Sequence, residues 1–548
     1  MFRDHSARPI KSSGLWRLLG LVLGCVFLVL GVACQSTQEA KRPVTSTATT
    51  ATAPAANVST AAPATVDRIT ISQDIDAAKM DPSSTLTGQR RIIFAQVFDT
   101  LIHRGPQGEA LPRVAEKWEW ASDNKTLKLK IRQGIKFQNG DDLTADDVKF
   151  TLDRYMDPKI DESASNYSGI DKVVVNDPFN LDIVLKNVDA SFLAARILDD
   201  IFIMPKKYYE SVKDDFNVKP IGSGPYRMAE WVKDDHMTLQ ANPNYWGGAV
   251  PVKTVVFKPI PEETTRVSAL LSGDTDIITA VPSTQTDLIK NSNTAVLKAG
   301  PSADLIYLGM KPDIPVLKDV RVRTAVNYAI NRQAIINRLL GDYATALGSP
   351  LIPGMLGYDP AIPPYPYDPG KAKQLLAEAG YPNGFQVPFE IPIGRVPRAR
   401  DVAQAISADL AAVGIQADIK EYEYNAYMNK LYGRESQTIT GMWLYIVRAP
   451  GFDPDQNFST SFYTKGAWNW GHYSDPKLDD LIIQGVQTLD EKKRIEVYRQ
   501  AAQMAKESGY WAFLYAPQSL YAVRKADKWT WDPRPDGLIN VWEDVKIK

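Results

Sequence analysis

Cysteine is nearly absent: this chain of 548 residues has two, Cys25 and Cys34, both close to the N-terminus. Everything after them must hold together by packing, because no cysteine pair is available for a disulfide. Histidine is scarce too, with His5, His103, His236 and His472 scattered and one of them near the start. No H-E-x-x-H, G-x-S-x-G or P-loop pattern occurs, so the common signatures of metalloprotease, serine hydrolase and nucleotide chemistry are missing. Neither sign of charge dominates: 63 Lys and Arg face 64 Asp and Glu, for a net charge of −1. Without a basic block, nucleic acid is not an expected partner. The acidic pairs Asp141-Asp142, Asp199-Asp200 and Asp479-Asp480 sit beside turn or helix-start signals, which makes capping their expected role. Asp453-Pro454-Asp455-Gln456-Asn457 opens like a calcium loop, but Phe458 replaces the required glycine and Thr464 the closing glutamate. The expectation is a protein that is not an enzyme and carries no cofactor or metal.

What is present begins with the leader. Arg3, Arg8, Lys11 and Arg17 precede the apolar run Leu18–Ala33, which ends at Cys34. A charged segment, an apolar segment and small residues before a cleavage point make a secretory signal. Leu30-Gly31-Val32-Ala33-Cys34 resembles a bacterial lipoprotein signal, which makes residues 1–33 the signal peptide and Cys34 the acylated first residue of the mature chain. An ordinary signal peptide and an uncleaved anchor are the other two readings, although about 16 apolar residues is short for spanning. All three place the remainder outside the cytoplasm. Residues 34–66 then form a linker of Thr, Ala, Ser, Pro and Val with no large apolar side chain to repay ordering. As a flexible coil it would reach roughly 30 Å, a leash between membrane and domain.

From Asp67 onward the chain is ordinary globular material, long enough for at least two lobes. Its 37 Pro, 24 Tyr and 12 Trp fit many loops and an aromatic-walled pocket. Residues 68–74 and the alternating stretch Lys125–Ile131 predict strands. Thr144-Ala145-Asp146-Asp147 predicts a capping box that opens a helix through Tyr155. Val322, Val326, Ala329 and Ile330 share one helical face, Asn331 caps a second helix, and Gly341 ends it. Asp368-Pro369 opens a helix that Gly380 closes. Val402, Ile406, Leu410 and Val413 form a further stripe that stops at Gly414, before a strand over Ile415–Ile419. Gly222 and Gly224 are expected to supply a tight turn, and Arg321 and Arg323 an exposed charged face. Helices alternating with strands predict α/β lobes.

Six stretches in order carry a resemblance: Leu111–Trp118; Ile131–Phe137 leading to Leu143–Val148; Gly222–Tyr226 followed by Asn242–Trp246; Asp319–Val326 running to Arg332; Tyr367–Tyr381; and His472–Asp479. Together they resemble the peptide/nickel/opine-type extracytoplasmic solute-binding proteins, family 5, of ABC importers. The resemblance implies a periplasmic-binding-protein-like clamshell of two α/β lobes, with an extra subdomain in the N-terminal lobe (cluster C type), that closes on a solute. It divides the chain into lobe I (67–112 with 220–300 and 515–548), the extra subdomain (113–219) and lobe II (301–514), with Ala299–Met310 as the outgoing hinge. Implied partners are a small-molecule or peptide ligand and the membrane subunits of an importer, with the protein as a monomer held to the membrane by Cys34.

In peptide-binding members a carboxylate three residues before the Asp-Pro pair holds the ligand's amino group. The matching position here is Pro450, with Arg448 close by. An ammonium buried without a counter-charge is costly, whereas arginine favours carboxylates and other anions. Arg395, just ahead of the 399–413 helix, corresponds to a ligand-carboxylate clamp of dipeptide-type members. Trp443, Tyr445, Trp468 and Trp470 are the candidate aromatic walls of the cleft. The expected function is delivery of an oligopeptide-like or other medium-sized solute to an ABC importer. An oligosaccharide, an anionic opine-like solute and a chemosensory co-receptor role are the alternatives.

Overall fold

A computed structural model describes residues 65–548 except 78, 85–87, 106–108, 161–163, 198–200, 434–437, 450 and 535. The signal, Cys34, Asp199-Asp200 and Pro450 therefore lie outside the described residues, as does all but the end of the linker. The described residues belong to one compact unit, Ala62–Lys548. None of its helices is long and apolar enough to cross a membrane.

Three sheets organise the unit. A seven-stranded mixed sheet runs in the order Ala295–Gly300, Ser519–Arg524, Ile277–Ile278, Val66–Gln73, Val252–Pro259, His236–Ala241 and Tyr226–Val232. A six-stranded mixed sheet runs Ala344–Ala346, Trp511–Pro517, Asp304–Met310, Met442–Arg448, Phe385–Pro392 and Ile415–Tyr422. A four-stranded antiparallel sheet comprises Ala115–Trp120, Thr126–Ile131, Asn180–Leu185 and Ile170–Asp177. Each sheet has its own apolar core: Leu305–Ala516 around the six strands, Val66–Phe98 with 202–257 and 521–545 around the seven, and 101–203 around the four.

Local chemistry fixes the elements that position the cleft. Thr144 and Asp147 form the expected capping box on helix Ala145–Met156. Asn331 caps Arg332–Leu339 by accepting from the Ala334 N–H, and Asp368 caps Pro369–Glu378 by accepting from the Lys371 N–H. Gly341, Gly380 and Gly414 all adopt positive φ where their helices stop. The first predicted strand spans Val66–Gln73, and the last runs further than expected, Ile415–Tyr422.

Two expectations are corrected. Neither Gly222 nor Gly224 has positive φ; a Cβ at either would collide with the Val97 carbonyl group. Close backbone approach, not turn geometry, demands glycine there. Arg321 is exposed and pairs with Asp319, but Arg323 is buried and donates to the carbonyls of Ser508, Leu317 and Lys318. Its long stem reaches inward from the helix start, so it organises a helix–strand junction rather than a charged face.

Candidate functional site

Two short segments pass between the large sheets: residues 301–303, and Gln518 between Trp511–Pro517 and Ser519–Arg524. Of the expected hinge, therefore, only residues 301–303 form a connector, because Ala299 and Gly300 end one strand and Asp304–Met310 is another, buried along its whole length. Gly300 pairs with Ser519, so the crossing marks one end of the seven-stranded sheet. Strands Val66–Gln73, Val252–Pro259 and Ile277–Ile278 are parallel to each other, and the last is antiparallel to Ser519–Arg524. Their carboxyl ends therefore point to the crossing. In the six-stranded sheet, Asp304 pairs with Arg448, and strands Phe385–Pro392 and Ile415–Tyr422 run parallel to Met442–Arg448. Their carboxyl ends meet the same crossing. Open α/β sheets bind ligands at the carboxyl ends of their strands, and here two such rims face one cleft.

Arg448 lies at the base of this cleft. Its Nε and Nη2 donate to the two Asp304 oxygens at 2.7 and 2.8 Å. Asp304 also accepts from the Ser302 hydroxyl at 3.0 Å, and the charges of Asp304 and Arg448 both act on the buried Tyr521 hydroxyl. The Arg448 side chain is 45% exposed, but its charge is already neutralised by a carboxylate of the same chain. Asp304 was invisible in the sequence because 144 positions separate it from its partner.

Arg395 occupies the loop that leaves strand Phe385–Pro392, is exposed, and pairs with no carboxylate among the described residues. It acts on the Tyr445 hydroxyl, whose pKa is raised first by burial and then by Tyr424, with Arg395 opposing. Tyr445 and Trp470 meet edge to face with centroids 5.1 Å apart, and the exposed Tyr432 packs on Trp470 at 5.9 Å. The structure thus brings Arg395, Tyr445 and Trp470 together. Trp468 is partly buried against the same core. Trp443 stands apart from solvent: it is fully buried between Tyr307 and Tyr510, opposite Gly309, where any Cβ would strike its ring.

The far wall closes through direct hydrogen bonds, most of them to backbone carbonyls. Arg104 donates to the Gly451 carbonyl at 3.1 Å and to the Ala194 carbonyl at 2.9 Å. The Ala190 N–H donates to the Val486 carbonyl at 2.8 Å, and the Ser191 hydroxyl donates to Asp455 Oδ2 at 3.4 Å. Asp453, which opens the stretch that resembles a calcium loop, instead caps helix Pro454–Ser461 and also holds Arg494 through two bonds of 2.6 and 2.7 Å. Among the described residues no group of three His, Cys, Asp or Glu could hold a metal ion.

Comparison with known proteins agrees with this geometry. Residues 109–470 match the family of bacterial extracellular solute-binding proteins, family 5 middle. The chain is similar to the dipeptide-binding protein of Escherichia coli K12, 31% identical over 72% of this chain and 78% of that protein. Among solved structures it is similar to the ABC transporter-associated periplasmic binding protein DppA from Helicobacter pylori in complex with the peptide STSA (25% identity, TM-score 0.72, 88% of this chain and 98% of that one). It is also similar to AgaA from A. tumefacien R10 in complex with agropinic acid (26% identity, TM-score 0.71, 88% and 99% covered). The two sheets with their shared rim are the two-lobe clamshell of these proteins, and the chain belongs to the bacterial extracellular solute-binding proteins, family 5.

Proposed function

We propose that this protein is a lipid-anchored receptor that captures an oligopeptide-like solute between its lobes and delivers it to an ABC importer. Lobe I comprises 67–112, 220–300 and 515–548, the extra subdomain 113–219, and lobe II 301–514; the separate cores and the crossing at 301–303 support this division in outline, while strand Trp511–Pro517 stays with lobe II as far as the crossing at Gln518, and the core of the extra subdomain takes in Leu101 and Ile102. Cys34 carries the lipid, and the monomer presents its closed lobes to the membrane subunits.

The observation that carries the ligand class is the unequal state of the two cleft arginines. Arg448 is neutralised by Asp304, whereas Arg395 has no carboxylate partner among the described residues and stands beside Tyr445 and Trp470. One uncompensated guanidinium beside aromatic rings suits a solute with one carboxylate and apolar side chains. The dipeptide-binding relative and the peptide-bound DppA neighbour support the same class. An opine-like solute is the second reading, supported by the agropinic-acid neighbour. A thermal-shift screen of peptides, oligosaccharides and opine-like acids tests the choice. A peptide at 100 times its Kd should add about 2.7 kcal/mol of stability, and Arg395→Ala should remove most of that gain. Stabilisation by sugars alone would contradict the reading.

A further inference from the structure

At the far wall of the cleft, two carboxyl groups share one hydroxyl. After strand Asn180–Leu185 of the four-stranded sheet, residues 189–191 reach helix Pro454–Ser461, which follows strand Met442–Arg448 of the six-stranded sheet. Phe192 belongs to the core of the first sheet and Phe458 to that of the second, so two separate cores meet here. The Ala190 N–H joins them through the Val486 carbonyl, and beside it Ser191 and Asp455 are 1% and 6% exposed.

The Ser191 hydroxyl that reaches Asp455 Oδ2 at 3.4 Å has a much shorter bond, 2.6 Å to Asp189 Oδ1. The Ser191 N–H also donates to Asp189 Oδ1, at 2.9 Å. One hydroxyl proton cannot serve both carboxyl groups, and the short bond has the stronger claim on it. A proton on Asp455 Oδ2 resolves the conflict: the carboxyl then donates to Ser191 Oγ, and the serine donates to Asp189. No other group competes for Oδ2. The Ser459 and Tyr498 hydroxyls donate to Oδ1, and burial keeps Tyr498 itself protonated. Arg494 is held by both oxygens of Asp453 and by the Gly485 carbonyl. Three carboxyl groups, Asp189, Asp453 and Asp455, therefore surround one guanidinium. Burial, then Asp453 and Asp189, push the Asp455 carboxyl up to about 6 against the pull of Ser459 and Arg494. Opening the cleft takes Asp189 away and admits water, and both changes loosen the proton. The closed form thus gains from protonation, and it loses that gain as pH rises through about 6.

We propose that Asp189, Ser191 and Asp455 form a proton-operated latch that holds the cleft shut while Asp455 is protonated and frees it once that proton passes to water. Its effect on capture rests on the cleft being the solute site.

Hydrogen exchange at the Ala190 N–H reads the latch without any solute, because that amide is protected by its bond across the contact. After correction for intrinsic exchange, its protection in the purified protein should be roughly threefold or more higher at pH 5 than at pH 8. Amides within strand Thr126–Ile131 should not follow, as they would if Asp455 acted only on overall stability. Asp455→Asn, which is uncharged at both pH values, and Asp189→Asn, which keeps an acceptor for Ser191, should each shrink the difference. Trialanine, titrated by calorimetry, should bind more tightly to the wild type at pH 5 by the same factor. If trialanine fails to bind while the Ala190 shift persists, the peptide reading falls and the latch stands. If wild-type Ala190 is equally protected at both pH values, or if either variant keeps the full difference, the latch is overturned.

Discussion

Asp455 shows how far one carboxyl can be moved by its surroundings. Burial, with Asp453 close by, pushes it up to about 6 from the ordinary 3.8. A folded-state value above the unfolded one means that the native state binds the proton more tightly. Its contribution to stability is thus fully present below the unfolded value and is lost as pH rises through about 6. Asp455→Asn should therefore raise the midpoint of chemical denaturation at pH 7, by up to about 2 kcal/mol, and the difference should shrink by pH 4. A gap independent of pH would contradict this. The Arg448–Asp304 pair makes a second prediction at this scale. Arg448→Ala leaves a mostly buried carboxylate with Ser302 as its one remaining side-chain partner among the described residues. The loss should be roughly 1 kcal/mol, because the guanidinium is nearly half exposed and water screens the pair. Urea denaturation of the variant measures it.

At the scale of elements, glycine positions give the sharpest test. Gly222 and Gly224 lie against the carboxyl end of helix Gly88–Val97, and the Gly224 N–H donates to the Val97 carbonyl at 3.0 Å. Gly224→Ala forces strand and helix apart and should cost about 3 kcal/mol, whereas Gly169→Ala, where a Cβ would meet nothing, should change stability by under about 0.5 kcal/mol. Comparing their thermal midpoints separates packing from turn geometry. The same contrast explains what the sequence made legible. Helix ends announce themselves locally, so Thr144, Asn331, Asp368 and Gly414 were readable within a few residues of the helices they bound. Strands Asp304–Met310, Met442–Arg448 and Trp511–Pro517 are buried on both faces, have no alternation, and so gave no periodic signal. The cleft divided in the same way. Tyr445 and Trp470 could be marked from their residue types and Arg395 through the family resemblance, but Asp304 acquires meaning only through strand register, which sets it opposite Arg448.

Across the whole molecule, charge ties the C-terminal segment to residues 103–113. Burial pushes Glu543 up, but the bond from His103 and the guanidinium groups of Arg113 and Arg534 outweigh it and hold the carboxyl down at about 2. This stability is present above the ordinary glutamate value and is lost as pH falls towards about 2. The network joins the C-terminal helix Val541–Asp544 to the strand Ile102–Arg104 and to Arg113, beside the Arg104 that reaches Gly451. Cleft closure and the C-terminal clasp thus share one strand, and Glu543→Gln should lower solute affinity in calorimetry and cost stability at neutral pH, a loss that urea denaturation should show shrinking as pH falls towards about 2. Solute capture at the strand ends is the central claim. It is tested most directly by titrating the best-binding peptide and its C-terminal amide into wild-type protein and Arg395→Ala. The account predicts that the wild type prefers the free acid by tenfold or more and that Arg395→Ala loses this preference while keeping its fold. Equal affinity for acid and amide in the wild type, or an unchanged preference in the variant, would contradict it.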